Sequence, residues 1–554
     1  MKLRQGKVLP FLVIVMGFFM PLLDTTIVNI TLPTMTEYFA TDVQRISWVI
    51  NGYNLAFAVL LITASRLADQ FGRKKIFMLG IFTFTFSSLF SGLSTNLDML
   101  IFFRVMQGLA AALVVPVSIP LAVELFPPER RGAITGIWAA FAGLAAASGP
   151  TLGGILTEKF KWQSIFYVNV PIGIAVFIFS IFTLRESFDP TATRKIDWLG
   201  MTTLSVSMFT LTLSLIQAND KGWGSAYILS LFTVSAIGLV LFIRTEIKTS
   251  DPMLPMSLMK IWPFSAGSIT LFILGIALMG ATFLLAFFLV RIMGMSEMQA
   301  GLTITTMPLT SMLFSSASGF LSDKFGSRWF GVTGMALLTL SMYLFSQLTL
   351  KASEFDVIWR LMIAGAGFGM TIAPVIGSTI RNVPKEKVGM SSGITNMART
   401  LGTVLGVALI VTVLNASITS QIKVAREEVI KIVKGDPIFI QQLKNNMIKE
   451  LNKADFSGQN PPKLSTIIAK IDKVEKEALS GKSAITQILI KAAFERQKKE
   501  LKKIWVNISQ VFKTHVASAF DFTFEVSGAF VMIGILFAFF SDVPVKKRRN
   551  LFVS

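Results

Sequence analysis

Long, mostly apolar stretches recur through this 554-residue chain, and no other feature restricts its folding as strongly. They lie near 10–33, 46–66, 76–94, 99–122, 133–156, 163–184, 198–217, 226–244, 263–290, 299–320, 329–349, 357–380, 389–415 and 521–541. A helix needs about 20 such residues to cross the hydrocarbon core of a bilayer. Inside lipid, each backbone N–H and C=O must also find its partner within the protein, which an α-helix provides segment by segment. The pattern predicts an all-α integral membrane protein of fourteen transmembrane helices.

Composition agrees. Charged residues make up 15 % of the chain, against about 25 % in soluble domains. The formal net charge of +20 would suggest nucleic acid in a soluble protein. Here the basic residues sit in the short connections between apolar segments, so they are topology signals and no nucleic-acid partner is expected. Lys and Arg concentrate in the connections on the N-terminal side, and the tail Lys546, Lys547, Arg548 and Arg549 follows the same rule. An even number of spans with this asymmetry places both termini in the cytoplasm, in what is expected to be a bacterial inner membrane. Met1 to Lys7 followed by an apolar run imitates a signal peptide, but no A-x-A cleavage site follows and many more apolar segments do.

The chemistry excluded is broad. The chain has no Cys and a single His, His515, so disulfides, thiolate sites and histidine metal clusters are ruled out, and no cofactor is expected. No phosphate loop, H-E-x-x-H or nucleophile elbow occurs, so neither ATP drive nor enzymatic catalysis is expected.

Residues 416–520 stand apart as a long polar segment, with 19 Lys/Arg against 10 Asp/Glu between 421 and 514. The topology puts it outside the cytoplasm; long loops are exempt from the charge rule, so its basicity does not contradict that. Ile485, Ile488 and Ala492, then Leu501, Ile504, Ile508 and Val511, recur at helical spacing. Gly435-Asp436-Pro437 and the stretch 458–462 interrupt it. About three amphipathic helices are expected. Two readings stay open: a solvated cap without chemistry, or a lid or docking element, for which a periplasmic adaptor protein is a candidate partner.

The chain also repeats itself. Leu67, Asp69, Phe71 and Gly72 recur as Leu321, Asp323, Phe325 and Gly326, an offset of 254. Arg104 and Arg360 stand 256 apart, and Gly132, Gly136 and Gly149 match Gly389, Gly393 and Gly406 at 257. Two related six-helix halves follow, with two extra helices between them. The expected organisation is 1–197 for the first half, 198–262 for the inserted pair and linker, 263–415 for helices nine to thirteen, 416–520 for the long segment and 521–554 for the last helix and tail. Paired repeats of this kind place a substrate site at their interface near the bilayer midplane.

These motifs resemble the major facilitator superfamily, in particular its fourteen-helix drug:proton antiporter branch of the EmrB/QacA type. Leu23 to Pro33 looks like that branch's helix-one signature. Ser65 to Lys75 resembles the superfamily's first cytoplasmic loop, with Ser65 replacing the usual Gly. Arg104-Val-Met-Gln107-Gly108 falls in helix four, and Gly143 to Gly154 looks like the antiporter motif of helix five. The resemblance covers everything except 416–520.

Each motif has a physical reading beside the family one. Asp24 lies well inside an apolar span, where a charge costs about 2.5–3.5 kcal/mol. Such a medium favours the protonated form of a carboxylate, so a residue of this kind can load and release a proton; the alternative is a permanent structural pair. Arg104 is an intramembrane cation whose expected partner is helix one, through Asp24 or a carbonyl there. Glu525 in helix fourteen is a second acidic candidate for proton coupling. In the gating loops, Gly72 and Gly326 permit tight turns, Arg73 is an inside-positive anchor, the resemblance puts Asp69 at a helix terminus near Gly389–Ser391, and Asp323 is the repeat counterpart of Asp69 in the second loop. Gly143, Gly149, Pro150, Gly153 and Gly154 make a small-residue seam along which helices approach closely. Trp48, Asn51, Tyr53 and Gln107 are candidate cavity residues, with core packing an equal alternative.

The expected activity is proton-coupled export of lipophilic or cationic drugs by alternating access. The expected partners are a small amphipathic substrate, protons and the lipid bilayer. Central acids are few, so export of fatty acids, lipids or another amphipathic metabolite is the runner-up. A membrane scaffold acting through 416–520 is disfavoured by the repeat and the buried charges.

Overall fold

The computed structural model describes residues 5–126, 131–188, 197–249, 252, 256–383, 388–439, 441–453, 468, 472, 475, 476, 479 and 484–542. Among them, fourteen long helices stand where the apolar stretches predict them. They are α1 (Gln5–Tyr38), α2 (Trp48–Phe71), α3 (Arg73–Gly92), α4 (Leu97–Glu124), α5 (Arg131–Phe160), α6 (Asn169–Thr183), α7 (Trp198–Lys221), α8 (Ala226–Lys248), α9 (Trp262–Phe287), α10 (Glu297–Phe325), α11 (Ser327–Phe345), α12 (Glu354–Arg381), α13 (Val388–Gly435) and α14 (Ala484–Phe540).

Local chemistry sets several of the helix starts. Asn96 caps α4 by accepting from Met99 N, and Ser225 caps α8. Ser296 with Gln299 and Ser353 with Asp356 form reciprocal capping boxes at α10 and α12. The α2–α3 and α10–α11 connections turn on Gly72 and Gly326, at φ +111° and +86°. A side chain is disfavoured at either angle, so glycine is needed in both.

Ten of these helices are long and apolar enough to cross a membrane, judged on the described residues. Helix α5 packs along α10, and Ala58 on α2 joins a core cluster with Ile394, Met397 and Leu401 of α13. Helices α1, α4, α5 and α6 pack around one another, as do α9, α10, α11 and α12, and the two groups meet at α5/α10, α1/α9 and α1/α10. Helices α7 and α8 pair with each other, and α7 also touches α2.

Two compact units are distinguished: residues 1–413 with 524–554, and residues 414–523. The second differs from the expectation of separate helices in a loop. α13 continues through the charged sequence to Gly435, and α14 begins at Ala484, long before the apolar span it contains. Apolarity reports which solvent a helix meets, whereas only a backbone breaker ends it, and Gly435-Asp436-Pro437 is the first on the way out. Within this unit Ile418, Ile422, Ala425, Val429 and Val433 are buried, as are Phe494, Leu501, Ile508 and Phe512. His515 bridges Gln421 at 2.9 Å and Glu428 at 3.0 Å, and Lys498 gathers Asp472, Glu475 and Glu495 within 3.2 Å. The 458–462 interruption and the tail Lys546 to Arg549 lie outside the described residues.

Candidate functional site

The centre of the first helix group holds a buried polar network. Asp24 is midway along α1 and Arg104 two turns into α4; they are 0 % and 1 % exposed and form an ion pair. Arg104 also donates through Nε to Val49 O at 2.9 Å and through Nη1 to Gln107 Oε1 at 3.0 Å. Its guanidinium lies 4.3 Å from the centre of the Tyr53 ring and 5.7 Å from that of Phe166, within the range of a cation–π contact. On the Asp24 side, Asn169 Nδ2 approaches Oδ1 at 3.3 Å and Gln107 Nε2 at 3.4 Å. Gln107 continues to Ser88 at 2.7 Å and Ser91 at 3.2 Å, and Tyr53 Oη donates to Pro21 O at 3.2 Å. Helices α1, α4 and α6 therefore meet at one carboxylate, with α2 and α3 joined to it through Arg104 and Gln107. In an apolar surrounding that convergence satisfies groups which would otherwise cost several kcal/mol each (about 1–3 for a neutral polar atom, more for a charge).

Of the cavity candidates, Gln107 and Tyr53 belong to this network. Asn51 is fully buried beside it, and neither its Oδ1 nor its Nδ2 has a hydrogen-bond partner. Trp48 points elsewhere and packs on Phe209 of α7, ring centres 5.8 Å apart. Glu525 is exposed on α14 and takes no part in the Asp24 network. Asn169 joins the network without being among the cavity candidates; an amide in an apolar span was the available signal.

The helix-five motif makes two seams. A Cβ on Gly149 would collide with Thr26 Oγ1, and one on Gly153 would lie 2.5 Å from Ile27 O, so these two glycines bring α5 onto α1. Gly154 faces Glu297 and Met298 of α10, Gly143 faces Met312, and Gly301 of α10 rests on the Pro150 carbonyl. Beside this second seam Thr151 and Thr305 share a hydrogen bond of 2.8 Å. At the end of the bundle that carries the C-terminus of α1, further bonds join the two groups. Arg291 pairs with Glu37 at 3.0 Å and donates to Pro33 O at 2.8 Å; Thr34 donates to Glu297 at 2.6 Å; Glu158 accepts from Met298 N at 3.1 Å.

At the gating loops, Arg73 pairs with Glu124. The side chains of Asp69 and Asp323 lie outside the described residues. Two carboxylates that sequence reasoning missed cap the starts of α3 and α11. Glu186 accepts from Lys74 N at 2.9 Å, and Asp542 accepts from Ser327 N at 2.6 Å. Each follows the sixth helix of its group and caps the third, just after the positive-φ glycine. The repeat is thus visible in space, where the loop between α13 and α14 had hidden the offset. An N-terminal carboxylate cap contributes about 1 kcal/mol, so Glu186→Ala is expected to lower the thermal-shift midpoint of the purified protein; an unchanged midpoint would contradict the cap.

The second group's arginines are held differently. Arg360 donates to Leu344 O at 2.8 Å and Asp356 O at 2.6 Å and stacks over Trp359.

A bundle of apolar helices around buried charges, with no enzymatic motif, defines a multi-pass membrane transporter, and comparison with known proteins agrees. Residues 14–407 match the Major Facilitator Superfamily. The chain is 33 % identical over 413 residues to the tetracenomycin C resistance and export protein of Streptomyces glaucescens, covering 73 % of this chain and 76 % of that one. It is 30 % identical over 424 residues to the multidrug resistance protein Stp of Mycobacterium tuberculosis, covering 76 % and 78 %. In fold it is similar to an inward-facing, occupied bacterial homologue of the lysosomal transporter Spinster, with a TM-score of 0.57 at 16 % identity and 96 % of both chains covered. The chain belongs to the Major Facilitator Superfamily.

Proposed function

We propose that this transporter is a proton-coupled exporter of lipophilic, drug-like compounds, of the fourteen-helix antiporter branch, set in a bacterial inner membrane with both termini in the cytoplasm. The observation that carries the proposal is the buried Asp24–Arg104 pair. When Asp24 takes a proton, the charge attraction to Arg104 ends, while Arg104 keeps Val49 O, Gln107 and the Tyr53 ring. Asp24 is two residues from Thr26, whose hydroxyl reaches Ala145 O at 3.4 Å in the glycine seam. Proton binding on α1 therefore acts on the packing of α5, and α5 carries the contact to α10. In this reading the Arg291–Glu37, Thr34–Glu297 and Glu158–Met298 bonds close the outer gate, and differential proton affinity of two conformers supplies the coupling. The names of the relatives, which describe antibiotic export and multidrug resistance, support the substrate class.

A second reading is export of fatty acids or another amphipathic metabolite. It is favoured by the fact that Asp24 is already engaged by Arg104 and so is not free to receive a cationic drug. Everted vesicles energised to a pH gradient separate the two. Collapse of the gradient by members of a panel of ethidium, rhodamine 6G and polyketide antibiotics is the expected result. No response to any of them, with a response to medium-chain fatty acids, would transfer the protein to the second reading.

A further inference from the structure

Helix α13 presents four sides, and three of them are occupied by protein. Met397, Leu401 and Val404 pack against Ala58, Leu55 and Val59 of α2. Gly402 and Gly406 lie against Phe272 and Ile276 of α9, so closely that a Cβ on Gly406 would fall 2.7 Å from Ile276 Cα. Thr412 bonds Leu215 O of the inserted helix α7 at 2.6 Å. At 100° per residue, the remaining side carries Asn396, Arg399, Thr400 and Thr403. It points away from α7, between a helix of the first group and one of the second. None of these four residues is exposed at the bundle surface, so the stripe faces the interior between the groups.

Arg399 is the anomaly in this stripe. Arg104, Arg291, Arg328, Arg360 and Arg381 all hold protein oxygens. The half-buried Arg399 has no hydrogen bond, ion pair or ring contact with any described residue. The hydroxyls of Thr400 and Thr403 fold back onto carbonyls of their own helix, to Asn396 O at 2.9 Å and Arg399 O at 3.1 Å, and leave the guanidinium free. The one fully buried acid of the central network, Asp24, is already engaged by Arg104. A cation kept unpaired inside a membrane protein is costly, and such residues face aqueous cavities and mark substrate paths. Its planar fork of donors matches a carboxylate in two-point contact.

We propose that Arg399 is the anion-recognition point of the transport site, and that the exporter selects amphipathic compounds bearing an acidic group, a carboxylate or an ionised phenol, over neutral isosteres. Arg399 takes the charge, and the apolar body lies along the interior between the groups that this stripe faces. This rests on the export reading but is tested without it, because binding alone is measured.

The probes are 1-pyrenebutyrate and 1-pyrenebutanol, equal in ring system and chain and differing in the acid, titrated into the purified full-length protein by fluorescence at neutral pH. The wild type is expected to bind the acid about tenfold or more tighter than the alcohol, the ratio typical of one hydrogen-bonded charge pair. Arg399→Gln removes that preference, while Arg399→Lys retains part of it. Equal affinity of the wild type for the two probes overturns the proposal before any variant is made. So does a preference that survives in a monodisperse Arg399→Gln protein. If the vesicle assay fails while the acid preference holds, the export reading falls and the anion site stands; the reverse pattern removes the anion site alone.

Discussion

Asp24→Asn is expected to reduce substrate-linked proton movement to background while leaving the protein folded. The amide is nearly isosteric: its Oδ1 can accept from Arg104, and Asn169, whose own Oδ1 has no partner among the described residues, can turn to accept from the new Nδ2. The new amide cannot change its charge, so Arg104 no longer senses a proton. Truncation has a different consequence. Asp24→Ala leaves a guanidinium that is 1 % exposed with neither a counter-charge nor an acceptor in its place, and breaking a buried pair from one side costs about 3–5 kcal/mol. Removing both partners is milder, because no uncompensated charge remains. The double variant Asp24→Asn/Arg104→Gln should therefore recover most of the stability lost in Asp24→Ala and none of the coupling. Thermal stability of the purified variants and proton movement in vesicles check the two halves separately. If Asp24→Asn transports as the wild type does, Asp24 is structural.

Gly154→Val is expected to have the second-largest effect, through conformation and not charge. A side chain there would meet the Glu297 backbone, and the reciprocal contact of Gly301 on Pro150 leaves α10 no room to withdraw while the seam stays closed. Overpacking a closed contact costs about 1–3 kcal/mol. Applied to one of two conformers, that shifts their ratio by about five- to a hundredfold. The protein should fold, expose the seam and transport at least about tenfold more slowly, since turnover needs both conformers. The chain contains no Cys, so a single Thr151→Cys reports on the seam without background. Thr151 is bonded to Thr305 when the seam is closed, and its maleimide labelling should rise in the Gly154→Val background. Unchanged labelling together with normal transport would show that this glycine serves close packing alone.

Much of this was legible in the sequence, for identifiable reasons. A membrane span tolerates few charges, so Asp24 and Arg104 announced themselves against their neighbours, and helix four needed a partner within reach. The glycines of α5 were readable because close helix approach demands them. A lone residue's azimuth was harder to read. Trp48 and Glu525 each sit in an apolar run, and nothing in the run says that one turns to Phe209 on α7 and the other to the surface. Glu186 and Asp542 escaped notice because they act on helices that start over a hundred residues earlier, Lys74 and Ser327 being their partners; proximity of that kind comes from the fold. The length of α13 was misjudged because hydropathy falls where the helix does not end. Arg399 lies in an apolar run, but its lack of a partner among the described residues is a property of the assembled bundle.

The central claim is that substrate and proton binding are coupled through Asp24, and direct measurement of proton release tests it. Purified protein in weakly buffered detergent solution, with a pH-indicator dye, is mixed with a transported compound whose binding is followed in parallel by fluorescence. Proton release that saturates with binding in the wild type, and is absent in Asp24→Asn although the compound still binds, is the predicted result. Saturable binding with no proton released by the wild type, or equal release by Asp24→Asn, would contradict it.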